Sequence, residues 1–230
     1  MTRGDAAGWE ELARREPYFP VLDHDGLATR EAFFETGEAD IAALLSAIAM
    51  RLGHDLPLTS TLDFGCGVGR LTIPLARRSK QVVACDIAPT MLVHARQNVL
   101  DAGLNNVTFI EPDALSSLEG RFDFVCSLLV LQYIPPAAGH AMIDVLLRAL
   151  APSGVAALHV TFERRGERLH RFARTVAGDR AVPREHAATA MNEYDKFAVH
   201  QQIASAGAQV IGRFVTHHGE TAGAVLIIEK

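Results

Sequence analysis

The chain has 230 residues, 49% hydrophobic and 21% charged, which excludes a disordered or low-complexity protein and suits a single domain with an added cap. With 22 basic against 27 acidic residues the net charge is −5, so bulk electrostatics draw the chain neither to nucleic acid nor to an acidic membrane surface, and neither partner is expected. Cys66, Cys85 and Cys126 are odd in number, widely spaced and without a C-x-x-C pair; they form no disulfide framework or zinc knuckle and suit a reducing, cytoplasmic setting.

Met1 to Glu16 carries charges of both signs and no apolar leader core, and the uncharged run Phe124 to His140 is broken by Pro135-Pro136, so no membrane segment is expected. Residues 1–56 read as a helical cap. Ile41, Leu44, Leu45, Ile48 and Leu52 recur on one helical face, and Gly53 follows as a stop. Ahead of them lie Trp9, Tyr18, Phe19, Phe33 and Phe34, which suit either a lid or the hydrophobic anchoring of a helix pair.

From Leu58 strands alternate with helices. The pattern predicts strands at Leu58–Phe64, Gln81–Asp86, Val107–Ile110, Phe122–Ser127 and Val155–Val160. Helices are predicted at about Gly69–Arg78, Pro89–Ala102 and Ala137–Leu150. Such alternation means a parallel, doubly wound sheet, a Rossmann-like α/β core over residues 57–160. A helical insertion follows over residues 161–207. Two strands, Gln209–Thr216 and Ala224–Ile228, then close the chain over residues 208–230. Their link is too short for a parallel crossover, so they form an antiparallel hairpin.

The most informative segment is Asp63-Phe64-Gly65-Cys66-Gly67-Val68-Gly69-Arg70, which leaves the first strand and opens a helix. Glycines there let a ligand approach the backbone and the helix N-terminus closely. Asp86 ends the next strand about 20 residues on, where a carboxylate can accept both ribose hydroxyls of a nucleoside. The spacing is G-x-G-x-G, whereas the dinucleotide fingerprint is G-x-G-x-x-G, and no G-K-S/T P-loop is present.

With these residues the chain resembles the class I S-adenosylmethionine (SAM) dependent methyltransferases, over residues 58–160 and more loosely 208–229. The resemblance implies an enzyme that takes SAM and leaves S-adenosylhomocysteine. It implies a seven-stranded sheet of order 3-2-1-4-5-7-6, parallel except for one antiparallel C-terminal strand. It also implies a cofactor site made by Asp63, Gly65, Cys66, Gly67 and Gly69, by Asp86, Ile87 and Met91, by Asp113 and Ala114, and by Ser127 and Leu128. The order Tyr133-Ile134-Pro135-Pro136 lacks the Asn/Asp-Pro-Pro-aromatic motif of enzymes that methylate DNA bases. Residues 124–138 contain no acid, which departs from protein arginine methyltransferases and from Mg²⁺-dependent catechol-type enzymes, so no metal is expected.

The expected reaction is methyl transfer to a small-molecule acceptor. Three residues at the carboxyl edge of the sheet are candidates for catalysis: Tyr133 after the fourth strand, and His217 and His218 at the end of the sixth. Arg164 to Arg184 holds seven arginines on an amphipathic stretch, either a solvated basic face or a site for an anionic acceptor at Arg168 and Arg171, with Tyr194 completing a lid. Two other readings remain open at this point, a SAM-binding sensor or partner protein without transferase activity and a nicotinamide-dependent oxidoreductase.

Overall fold

The structure, a computed structural model, describes residues 3–18, 29–164, 191–218 and 221–230. The N-terminal helices are α1 (Arg3–Arg15) and α2 (Arg30–Leu52). The core runs β1 (Ser60–Phe64), α3 (Thr72–Arg78), β2 (Gln81–Cys85), α4 (Pro89–Asp101), β3 (Val107–Ile110), β4 (Phe122–Ser127), α5 (Pro136–Ala149) and β5 (Leu150–Arg164). It closes with α6 (Lys196–Ser205), β6 (Gln209–His218) and β7 (Thr221–Glu229). Single 3-10 turns lie at Pro112–Ser117 and Leu131–Tyr133.

The seven strands form one sheet of order β3-β2-β1-β4-β5-β7-β6, as expected. β1 to β5 pair in parallel, and β7 runs antiparallel to both β5 and β6. Each face of the sheet is covered. On one side Ile41, Leu44 and Ile48 of α2 and Leu75 of α3 pack on Phe124, Cys126, Ala157 and Ile227. On the other, Ile143, Leu146 and Leu147 of α5 and Val199 and Ile203 of α6 pack on Leu62, Val125, Leu158 and Leu226. Each such fully buried aliphatic side chain contributes about 1.5–3 kcal/mol. Among the described residues no helix is long and apolar enough to cross a membrane.

Several boundaries differ from the expected ones, two of them for a clear local reason. α3 starts at Thr72 rather than Gly69, because Gly69 has φ +93° and cannot enter a right-handed helix. Where the helical insertion was expected to start, Glu163 and Arg164 instead extend β5 by pairing with Ala222 and Thr221. Its last helix, α6, is capped by Asp195, whose side chain accepts from the Ala198 N–H at 2.8 Å. The arginine-rich stretch that follows Arg164, including Arg168 and Arg171, falls in residues 165–190, outside the described residues.

α2 sits unusually close to the loop after β1. Gly37 lies in the middle of the helix, and a Cβ there would stand 2.2 Å from the Arg70 carbonyl oxygen. On an exposed helix face Gly→Ala gains about 1 kcal/mol of helix propensity. Here the sign reverses: Gly37→Ala should destabilise by about 1–3 kcal/mol through overpacking, and thermal unfolding of the variant should show a lower Tm. A raised Tm would mean that α2 does not seat on the loop.

Candidate cofactor site and its neighbouring cavity

The loop from Gly65 to Leu71 is built on three glycines in the left-handed region, Gly65 (φ +77°), Gly67 (φ +52°) and Gly69 (φ +93°). At Gly65 a side chain would also collide with Val130, 2.2 Å from the position of a Cβ. Most of the loop's amides are bonded inside the protein. The Gly65 and Cys66 N–H groups donate to the Cys85 carbonyl at 2.7 and 2.9 Å, Gly69 N–H donates to the Cys66 carbonyl, and Gly67 N–H donates to Asp86 Oδ2 at 2.8 Å. Asn98 of α4 braces the loop from outside, donating to the Val68 carbonyl at 2.8 Å.

Asp86 is therefore both wall and strut. Its Oδ1 accepts from the Ala88 N–H at 2.9 Å while Oδ2 holds Gly67. Burial pushes its carboxyl above the usual carboxylate range, against the pull of the Ala88, Gly67 and Ile87 N–H groups. A carboxylate has about four lone-pair sites, so capacity remains for a ligand hydroxyl.

A cavity of about 670 Å³, open to solvent on one side, lies at the carboxyl ends of β1, β2 and β4. Gly65 and Gly67 form its floor, Asp86, Ile87 and Met91 one wall, and Leu128, Leu129 and Val130 another. Trp9 of α1 and Tyr133 close it, their rings meeting edge to face with centroids 5.1 Å apart. α1 is fastened there by Glu10, which accepts from the Thr90 N–H at 3.0 Å and from the Thr90 hydroxyl at 2.5 Å. Of the N-terminal aromatics, Trp9 thus lies over the cavity. Tyr18, Phe33 and Phe34 pack edge to face on one another beside Val68, Ala88 and Met91. Phe19 is outside the described residues.

The structure brings Gly65, Gly67, Asp86, Ile87, Met91, Leu128 and Tyr133 together around this cavity. The remaining expected residues stand elsewhere. Asp63 is buried beneath the loop, accepting from the Thr72 hydroxyl at 2.6 Å. Cys66 packs with Ala84 and Ala95. Gly69 shapes the turn, and Ser127 is buried at the end of β4. Asp113 and Ala114 are exposed just beyond Pro112, which does line the cavity.

His217 is exposed and lines neither this cavity nor its neighbour; alternation along β6 turns Phe214 and Thr216 toward the neighbouring cavity and His217 away. The backbone of His218 pairs with Thr221, and its side chain is outside the described residues. Tyr194 is no lid. It is buried in the core, its hydroxyl 2.8 Å from both the Leu131 and Ile134 carbonyls, where it supports the segment carrying Tyr133.

Sequence reasoning missed His159. It lies buried on β5 within the continuous apolar run Val155 to Val160, away from any motif. Its Nδ1 accepts from the Leu129 N–H at 3.3 Å and its Nε2 faces Thr216 Oγ1 at 2.8 Å. Among the described residues no three His, Cys, Asp or Glu side chains converge in a way that could hold a metal.

Residues 61–154 match the family described as Methyltransferase domain. Over 95 residues the chain is 41% identical to magnesium-protoporphyrin O-methyltransferase from Synechocystis, covering 40% of each protein. Over 62 residues it is 39% identical to the 23S rRNA (uracil(1939)-C(5))-methyltransferase of Shewanella sediminis, covering 27% of this chain and 14% of that protein. The chain thus spans less than half the length of the curated relatives it matches. The crystal structure of magnesium protoporphyrin IX methyltransferase from Synechocystis, with S-adenosylhomocysteine bound, superposes with a TM-score of 0.68 at 22% identity. That likeness covers 98% of this chain and 95% of that one, and it establishes a shared fold. Residues 61–154 thus resemble methyltransferase domains in sequence, and the chain shares the fold of a structure that binds the product of SAM.

The residues present fit that cofactor. The backbone of Gly65 and Gly67 borders the cavity, Asp86 offers lone pairs to ribose hydroxyls, and Ile87 and Met91 give apolar walls for a nucleoside. A loop whose amides are mostly bonded internally does not present the row of free N–H donors that a pyrophosphate needs.

Asp63 gives the site a pH signature. Burial, with the nearby Asp86 charge adding to it, pushes its carboxyl up to about 6 against the Thr72 bond and the Arg70 charge. A carboxyl raised in the folded state favours folding below its unfolded value, and that contribution is lost as pH rises through about 6. Relative to Asp63→Asn, the wild-type protein should lose about 2 kcal/mol of stability between about pH 4.5 and pH 7.5, read by urea unfolding. Parallel profiles for the two proteins would contradict this assignment.

Proposed function

We propose that this protein is a SAM-dependent methyltransferase that methylates a small molecule by direct in-line displacement, without a metal. The observation that carries the reading is the Asp86-walled cavity over an internally bonded glycine loop, closed by Trp9 and Tyr133. SAM supplies a methyl group on a sulfonium, already activated for transfer to an acceptor lone pair.

What remains for the chain is to bind, align and exclude water. Asp86 grips the ribose, the Leu128–Val130 backbone runs beneath the methionine arm, and Trp9 with Tyr133 shields the reacting edge. Of the three candidates for catalysis, Tyr133 is the one on the wall of this cavity, where we assign it, with Trp9, the shielding of the cofactor. A small acceptor is favoured by the net charge of −5, which offers no bulk attraction to RNA, and by the relative that methylates a porphyrin. The anionic-acceptor idea rested on Arg168 and Arg171 and draws no support from the described residues.

The test is formation of S-adenosylhomocysteine, followed by mass spectrometry, with SAM and separate panels of small phenols, carboxylates and amines and of ribosomal and transfer RNA. Turnover is expected with a small molecule only. Asp86→Ala should lower kcat/KM by roughly 10- to 100-fold, the loss of one or two charge-assisted hydrogen bonds. Turnover with RNA alone would overturn the substrate class. Tight SAM binding without transfer to any acceptor would favour the sensor reading instead.

A further inference from the structure

Beside the cofactor cavity lies a second one, about 890 Å³ including its open mouth. It sits between α2 and the carboxyl end of β5, with β6 and β7 behind it. Its apolar lining comes from Ala43, Leu44, Leu128, Leu129, Phe214 and Val225. Leu128 and Leu129 line both cavities, so the two adjoin at these residues.

The polar groups of this cavity are wired in one direction. A backbone N–H can only donate, so the bond from Leu129 N–H to His159 Nδ1 requires that Nδ1 carry no proton. The neutral ring then keeps its proton on Nε2 and donates it to Thr216 Oγ1. The hydroxyl proton of Thr216 has no acceptor among the described residues, and Thr216 lines the cavity. The chain of bonds therefore ends in an O–H donor at the cavity surface. The same chain holds Leu129 at φ +62°, an uncommon backbone setting for a leucine, and so shapes the wall that the two cavities share.

The charges of this cavity cancel. Arg70 is buried, and its guanidinium donates to Asp40 Oδ2 at 2.6 Å and to the Thr36 hydroxyl at 3.2 Å. Among the described residues lining this cavity, Arg70 and Asp40 are the charged pair and each has the other as partner, with Arg70 Nε left unbonded.

Building on the methyltransferase reading, we propose that this second cavity receives the methyl acceptor. The class of acceptor is a neutral, ring-sized apolar molecule with an oxygen that accepts a hydrogen bond, and Thr216 is the residue that reads that oxygen. His159 is a positioning residue, setting both the direction of the Thr216 hydroxyl and the course of Leu129.

Three probes share one ring body: 2-acetylnaphthalene with a carbonyl, 2-naphthoate with a carboxylate and 2-ethylnaphthalene with no oxygen. Each is titrated by NMR into the full chain with and without S-adenosylhomocysteine. 2-Acetylnaphthalene should bind about tenfold more tightly than 2-ethylnaphthalene, the worth of one hydrogen bond. Thr216→Val should erase that tenfold preference and leave 2-ethylnaphthalene unchanged. Ala43 is exposed on α2, so Ala43→Trp can fill the cavity without burying a misfit in the core. It should abolish binding of the probes while leaving S-adenosylhomocysteine affinity within about threefold of wild type.

The proposal is overturned if no probe binds, if 2-naphthoate binds best, or if either variant leaves probe binding as it was. Failure of S-adenosylhomocysteine to bind the wild-type protein would instead remove the methyltransferase reading, while the probes alone would still report on the cavity.

Discussion

The Asp86 carboxylate is the point on which the site hangs. One oxygen holds the glycine loop through Gly67 and the other holds the start of α4 through Ala88, so β2, the loop and α4 keep a single relative geometry. The carboxyl is held in a setting that raises its affinity for a proton, which shows that its charge is not stabilised by burial for its own sake. The loop it holds can turn so tightly because Gly65, Gly67 and Gly69 all take left-handed backbone angles, and because Val130 fills the space where a Gly65 side chain would stand.

The elements around the loop are packed to keep it there. α2 reaches it at Gly37 with no side chain between, and Arg70 returns the contact by bonding Thr36 and Asp40, which flank Gly37 on that helix. Below the cavity, Tyr194 and Asn192 anchor the Leu131–Ile134 segment from the far side of the sheet, Asn192 N–H donating to the Gln132 carbonyl at 2.6 Å. Above it, α1 is fastened through Glu10 to Thr90. Each contact reaches a backbone segment of the cavity or the start of α4, and none of them is itself a wall. Rigidity of this kind is what in-line transfer asks of a protein whose cofactor brings the reactive group.

The terminal hairpin and the Asp86 wall were legible from local signatures, a link too short to cross over and an acid at a strand end, whereas the sheet order followed from the resemblance to a known family. The N-terminal limit of α3 was misjudged because apolar spacing continues through Gly69 although its backbone angle forbids a helix. The role of Gly37 left no trace in the sequence, since nothing local reveals that a loop carbonyl lies against it. His159 and Thr216 were invisible for a different reason. They are ordinary strand residues, far apart in sequence, and their pairing exists only once β7 separates β5 from β6 in the sheet. His217 drew attention by residue type, yet strand alternation gives the cavity to its neighbour Thr216. The cofactor end of such a domain is written in one contiguous loop, whereas the acceptor end is assembled from distant strands.

The central claim is that this loop takes a nucleoside without phosphates. Calorimetric titration of S-adenosylhomocysteine and, separately, of NAD⁺ into the full chain tests it most directly. The account predicts one S-adenosylhomocysteine per chain, lost in Asp86→Ala, and no heat with NAD⁺. Binding of NAD⁺, or no binding of S-adenosylhomocysteine at concentrations of about 1 mM, where even a weak complex worth about 4 kcal/mol would be half formed, would contradict it.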